Sequence, residues 1–237
     1  MSVEGQKSAV IVLSGGLDST VAAYMAAETA RIDLAITFDY GQKARRRELA
    51  AGYAVAQRLG AVHRTVELPF FRAISTGALL EQGLKLPEPK TADLDDVEGA
   101  RASAKAVWVP NRNGIMIAVA AAWAEKIGAA YIVLGFNAEE AATFPDNSQA
   151  FIDRQNAALE YSTANGVKIL APTAAMTKIQ IVAWARDHQV PLELVWSCYD
   201  GDDLPCGRCE SCRRFDRAVD AVGIRALVHE KRKGWKR

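Results

Sequence analysis

The sequence predicts an α/β fold built on a parallel sheet, and three observations carry that prediction. Five short apolar runs alternate with helix-length segments, the first run ends in a glycine turn that opens a helix, and no internal repeat or low-complexity tract breaks the rhythm. Such alternation implies right-handed crossovers, helices on both faces of the sheet, and ligands bound beyond the carboxyl ends of the strands.

The elements follow in order. SAVIVL at 8–13 is a short apolar run and reads as a buried strand, followed by a helix over 19–30. IDLAITF at 32–38 is a second strand, and the segment 43–59 a second helix. VHRTVE at 62–67 reads as a third buried strand. The segment 81–105, EQGLKLPEPKTADLDDVEGARASAK, then breaks the pattern with prolines, acidic residues and little periodicity, as a long connection or mobile lid does. A helix over 114–127 and a strand over 131–135 share an apolar window, which Glu125 and Lys126 interrupt. That window therefore reads as core and not as a membrane span. A helix near 149–164, a strand at 167–170 and a helix over 177–189, with Thr177 as its cap, complete the alternation. The expected division is a main domain over 1–190 and a smaller lobe over 191–237.

Half the residues are apolar and 24% are charged, which is ordinary for a globular protein and excludes a disordered chain. The formal charge of +1 supplies no global field for nucleic acid, although Arg45-Arg46-Arg47 and the terminal HEKRKGWKR are local basic clusters. Those clusters read first as solvated surface. MSVEGQKSAVIVL lacks the pattern of a secretory leader, so the expected location is the cytoplasm, with no membrane contact. In a reducing compartment, clustered cysteines point to metal rather than to disulfides.

In Ser14-Gly15-Gly16-Leu17-Asp18-Ser19-Thr20, the glycines let the backbone turn tightly and aim its N–H groups inward at a helix start. That nest binds an anion. The lysine that ends a Walker-type loop is missing, so the grip falls on amides and on the Ser14 and Ser19 hydroxyls. Asp18 supplies an oxygen ligand of the kind that Mg²⁺ with pyrophosphate requires, or else a charge facing the helix dipole.

All four cysteines lie in SCYDGDDLPCGRCESC, as Cys198, Cys206, Cys209 and Cys212. Two Cys-x-x-Cys steps and a longer return gap suit one tetrahedral Zn²⁺, while an iron–sulfur cluster or a redox pair at Cys206 and Cys209 stays open. A closed site of this type holds a lobe together and leaves the chemistry to other residues. His63, His188 and His229 are scattered without ligand spacing and read as ordinary strand or surface residues.

SGGLDS matches at every fixed position the SGGxDS signature of the PP-loop of N-type ATP pyrophosphatases, and the chain resembles that superfamily. The resemblance implies a Rossmann-like, adenine nucleotide α-hydrolase-like domain with a small helical zinc-binding lobe. It also implies attack at the α-phosphate of ATP, with pyrophosphate leaving as a unit. The loop together with Cys-x7-Cys-x2-Cys-x2-Cys is similar to the 7-cyano-7-deazaguanine synthase family of queuosine biosynthesis. Phe38-Asp39-Tyr40-Gly41-Gln42, Val109-Pro110-Asn111-Arg112-Asn113 and Gly135-Phe136-Asn137 agree with it, so the likeness spans nearly the whole chain.

That family implies a ligase joining 7-carboxy-7-deazaguanine and ammonia at the expense of ATP, with Mg²⁺ and Zn²⁺, as a homodimer. Carried over by residue, Leu13 through Thr20, Asp39 and Gly135 hold the nucleotide, and Asp18, Ser19, Arg112 and Lys178 act at the phosphates. Arg112 offers a bidentate fork to phosphate or carboxylate, or is a satisfied loop arginine. The family's Asp-x-Ser-Gly-Tyr-Pro-Asp-Cys-Arg is replaced here by EEAATFPDNS at 139–148. Phe144 stacking on the base and Asp146 accepting from its N–H groups is one reading, and a buried ring with a turn aspartate is the other. Arg154 is the candidate replacement for the missing arginine. The rival functions are another AMP-forming amide synthetase or tRNA-modifying enzyme, and a non-enzymatic zinc-ribbon module for nucleic acid or protein.

Overall fold

In the computed structural model, which describes residues 6–232, the sheet has five parallel strands in the order β3-β2-β1-β4-β5. They are β1 (Ser8–Val12), β2 (Arg31–Asp39), β3 (Val62–Glu67), β4 (Tyr131–Val133) and β5 (Lys168–Leu170). The strand order reverses between β1 and β4, so the chain opens a crevice at their carboxyl ends. In register, Ala9 to Ile11 pair with Tyr131 to Val133 on one side, and β1 pairs with β2 from Arg31 to Ile36 on the other. The expected parallel α/β architecture is present, with the strands within three residues of their expected bounds.

Among the described residues, ten helices surround or follow the sheet: α1 (Leu17–Ala27), α2 (Arg45–Leu59), α3 (Phe71–Ile74), α4 (Val97–Ala106), α5 (Arg112–Ile127), α6 (Ala138–Ala141), α7 (Gln149–Ser162), α8 (Lys178–Asp187), α9 (Glu210–Ala221) and α10 (Arg225–Arg232). One face of the sheet packs Val10, Ile36, Phe38 and Ile132 against α5, and the other packs Ile11, Ala35 and Val133 against the small residues of α1 and α2. A third core joins α1 and α8 to α9 and α10 through Val21, Ile181, Phe215 and Val228, so the C-terminal helices share apolar contacts with the first crossover.

Two expectations need correction. β3 is not buried, because it lies at the sheet edge, and Val62 is 59% exposed. The segment 81–105 is not shapeless, since it contains a 3₁₀ turn at Thr91–Asp93 and most of α4. Asp96 caps α4 by accepting from the Gly99 N–H at 2.7 Å. The segment is docked on α9, where Arg214 donates to the Leu94 carbonyl at 2.7 Å, Arg217 pairs with Asp95 at 2.7 Å, and Ser103 donates to Glu210. The solvated-surface reading holds for Arg46, which is 65% exposed, and both Arg46 and Arg47 reach Asp203 in the cysteine loop, at 2.5 and 2.7 Å. The last basic residues, 233–237, and the first five lie outside the described residues. Among the described residues, no helix is long and apolar enough to cross a membrane.

Gly52 shows how tightly the phosphate-loop strand is held. It sits inside α2, where alanine ordinarily gains about 0.5–1 kcal/mol. Here a methyl group would land 2.4 Å from Thr37 Oγ1, the hydroxyl that donates to the Leu13 carbonyl at 2.6 Å. Gly52→Ala is therefore expected to lower stability by about 1–3 kcal/mol in urea denaturation, whereas a gain would contradict this packing.

Candidate active site

The sheet's reversal point holds a cavity of about 210 Å³ with the glycine turn as its floor. β1 carries the chain into Ser14, Gly15 adopts φ +76°, and α1 starts at Leu17 with its first N–H groups unbonded within the helix. The positive φ suits glycine, and space demands it as well, since a Cβ there would sit 2.6 Å from Ala51 Cβ. Ser14 and Ser19 hydroxyls meet at 3.0 Å, and the Gly16 N–H donates to Ser14 Oγ at 3.2 Å. Ser14, Gly16, Leu17, Asp18 and Ser19 all line the cavity. Gly135, just past β4, presses against the same loop, because a Cβ on it would lie 2.3 Å from Ser19 N.

Across the cavity stands Lys178, the first residue of α8. Its ammonium donates to Asp18 Oδ2 at 2.7 Å and to Glu140 Oε1 at 2.9 Å, with the lysine side chain only 7% exposed. Thr177 and Gln180 close a reciprocal capping box at the helix start. Burial opposes charge on all three groups, but the two carboxylates hold the Lys178 ammonium well above its ordinary range. The carboxylates differ from each other. Burial dominates at Asp18 and leaves its carboxyl raised despite Lys178, whereas at Glu140 the lysine's charge and hydrogen bond, with help from Asn137, outweigh burial and hold it low. Asp18 Oδ1 is buried and accepts no hydrogen bond. A hard cation fits beside that oxygen, because it would satisfy an acceptor that the protein leaves open.

Arg112 enters from the start of α5, after Asn111 in the left-handed region at φ 50°. Its guanidinium donates to the Tyr40 hydroxyl at 3.2 Å and lies 5.7 Å from that ring's centre. Burial pushes the Tyr40 hydroxyl up to about 12, so it stays protonated. The other donors of Arg112 make no hydrogen bond to a described residue, which leaves a charged fork available to a ligand. Glu48, from the first turn of α2, shares this wall. Its Oε2 accepts from Gln42 at 2.8 Å, and burial raises its pKa.

Other sequence candidates stand elsewhere. Asp39 turns aside to accept from the Gly41 N–H at 3.0 Å and does not line the cavity. Thr20 is buried behind the loop, whereas Leu13 does line the cavity. Phe144 stacks on Trp108 at 6.2 Å and lines a small neighbouring pocket, while Asp146 gives its carbonyl to Asn113 at 3.3 Å. Asn147, between Asp146 and α7, reaches the main cavity. Arg154 is exposed and donates to the Ala150 carbonyl at 3.0 Å, so it does not replace the family's missing arginine in the cavity. His63 lies on β3 beside Thr37, and His188 stacks on Trp184 at 3.8 Å.

The four cysteine sulfurs lie within 4.8 Å of one another, close to the roughly 3.8 Å edge that a tetrahedron of 2.3 Å zinc–sulfur bonds requires. Backbone N–H groups of Asp200 and Cys206 donate to Cys198 Sγ, and that of Cys209 to Cys206 Sγ, each at 3.3 Å. Such donors favour thiolates, so the set fits Zn²⁺. Gly207, at φ +69°, allows the turn between Cys206 and Cys209. The cluster adjoins the cavity, because Ser197, Cys198, Tyr199 and Ser211 form part of the wall. Trp196 fixes this wall by donating its backbone N–H to the Gly15 carbonyl and its indole N–H to the Cys198 carbonyl, each at 2.8 Å.

These features define a parallel α/β protein with a glycine-turn loop at the sheet's reversal point and a four-cysteine cluster, suited to a metal, beside the same cavity. The family model described as "Queuosine biosynthesis protein QueC" matches residues 8–223, and the chain belongs to that family. It is 46% identical over 217 residues to the 7-cyano-7-deazaguanine synthase of Desulforamulus reducens, covering 92% of this chain and 95% of that one. The protein of the same name from Methanosarcina mazei is 46% identical over 226 residues, covering 94% and 98%.

Glu48, Tyr40, Glu139, Glu140 and Tyr199 were not singled out from sequence. Their signal was faint, because each gains its place from partners far along the chain. Two tests follow. Gly135→Ala drives a methyl group into the Ser19 backbone and is expected to weaken Mg-ATP binding about 10²-fold in calorimetry. Cys212→Ser is expected to lose bound zinc. The associated loss, about 3 kcal/mol at least, lowers Tm by about 6–12 °C, and unchanged metal content and Tm would contradict the cluster's role.

Proposed function

We propose that this chain uses ATP to convert 7-carboxy-7-deazaguanine and ammonia into 7-cyano-7-deazaguanine, a step of queuosine biosynthesis. The names of its relatives point to this product, and one observation ties it to the residues. A single cavity gathers residues of the SGGLDS loop, Lys178 and Arg112, and the four-cysteine set adjoins it through Cys198.

The chemistry follows from the substrate. A carboxylate is a poor electrophile, so its oxygen attacks the α-phosphorus of ATP and pyrophosphate leaves. Ammonia then displaces AMP to give the amide. A second activation, at the amide oxygen, allows loss of that oxygen with AMP and formation of the nitrile. The α1 N–H groups, Ser14 and Ser19 cradle the phosphates, and Lys178 neutralises charge that grows on the departing pyrophosphate. Mg²⁺, held by Asp18, would supply further neutralisation. Arg112 orients the substrate's carboxylate or an α-phosphate oxygen through its free donors. Positioning and charge neutralisation account for catalysis without an acid–base triad. Cys198, Cys206, Cys209 and Cys212 would hold Zn²⁺, which would fix the wall that carries Tyr199. A cytoplasmic homodimer, divided into residues 1–190 and 191–237, belongs to the same reading, as does ammonia taken from solution or a partner.

Purified, zinc-replete protein incubated with Mg-ATP, ammonium and 7-carboxy-7-deazaguanine is expected to yield nitrile and AMP by mass spectrometry. Amide as the sole product would place the chain among amide synthetases and implicate the altered 139–148 stretch. Absence of substrate-dependent ATP cleavage would overturn the assignment.

A further inference from the structure

Two consecutive glutamates hold Lys178 at its two ends. Glu140 takes the ammonium, while Glu139 Oε1 accepts the Lys178 backbone N–H at 2.8 Å. Both glutamates stand on α6, whose single turn is fixed to the end of β4 by Asn137, which accepts the Glu140 N–H at 3.0 Å. The other oxygen of Glu139 faces α9. It accepts from Arg214 at 2.8 Å and from Arg217 at 3.1 Å, two arginines one turn apart on the same helix face.

Arg214 has little freedom to move. It is 8% exposed, and its remaining donors go to Glu210 at 2.9 Å and to the Leu94 carbonyl at 2.7 Å. Glu210 in turn accepts from Ser103 of α4. The helix that carries both arginines also carries the metal lobe, since Cys209 caps α9 and Cys212 lies in its first turn. A continuous chain of bonds therefore runs from the thiol cluster along α9 to Glu139, and from there to the start of α8.

We propose that Glu139 is the positioning residue through which the four-cysteine lobe holds Lys178 at the phosphate loop. This rests on the reading of Lys178 as a phosphate ligand. Glu139 does not line the main cavity and acts only through the lysine. A buried carboxylate with three charged or polar donors loses its place when one side is removed, and a shift of about 1 Å in a phosphate ligand costs up to about 10²-fold. The altered 139–148 stretch thus supplies a clamp for Lys178, whatever else it does for the substrate.

A double-mutant cycle tests this in the zinc-loaded protein, with affinity for α,β-methylene-ATP measured by calorimetry and zinc content measured alongside. Lys178→Gln and Glu139→Ala are each expected to weaken affinity about 10–100-fold. The double variant should be no weaker than Lys178→Gln alone, with zinc retained at the wild-type level. Multiplying effects, or a Glu139→Ala affinity within twofold of wild type, would overturn the proposal. Glu139→Gln keeps the side chain's volume and stands in should the alanine variant not fold; it is expected to weaken binding in the same non-additive way. If Lys178→Gln binds as wild type, the phosphate reading of the lysine fails first and takes this proposal with it. Loss from Lys178→Gln with multiplying loss from Glu139 would sink the positioning role alone.

Discussion

The buried ammonium of Lys178 is the constraint on which the site depends. A lone charge taken out of water costs several kcal/mol, so the lysine is tenable only if its carboxylate partners are in place. Those partners come from the first turn of α1 and from α6, 160 and 38 residues away along the chain. Each must reach the crevice at the carboxyl end of the sheet, and parallel strand order delivers them there. The pair is also unequal. Burial leaves the Asp18 carboxyl raised and its Oδ1 accepts no hydrogen bond, whereas at Glu140 burial is outweighed by Lys178 and the carboxyl is held low.

Around this centre, the remaining walls are set by close approach of backbone. Gly15, Gly52 and Gly135 leave no room for a side chain, so the loop, α2 and the end of β4 fit together without slack. The four-cysteine segment lines one wall of the cavity and is tied back by the Trp196 backbone N–H to the Gly15 carbonyl and by Arg46 and Arg47 to Asp203. The lobe is thus part of the cavity's wall as well as a scaffold for α9. The docked segment 91–106 braces α9 from the far side through Leu94, Asp95 and Ser103.

The sheet was legible because its strands are contiguous apolar runs and its turns carry glycine. The phosphate loop was legible for the same reason, since SGGLDS is one uninterrupted stretch. The exposure of β3 was not, because nothing in VHRTVE says that its far side has no neighbouring strand. Nor was α4, whose VEGARASAKA lacks a broad apolar stripe and is tied to α9 by the hydrogen bond from Ser103 to Glu210. Glu139 and Glu140 read as ordinary acidic residues until the fold brings α8 and α9 against them. The cysteine set was clear from spacing, but its share in the cavity wall depends on how the loop 197–199 returns over α1.

The measurement that tests the central claim most directly follows the oxygen atoms of the carboxylate. With 7-carboxy-7-deazaguanine labelled by ¹⁸O at both carboxylate positions, attack at the α-phosphorus transfers one label to AMP in the first activation and the other to AMP in the second. The account predicts singly labelled AMP and unlabelled pyrophosphate. Label in inorganic phosphate or pyrophosphate, or unlabelled AMP beside labelled water, would contradict it.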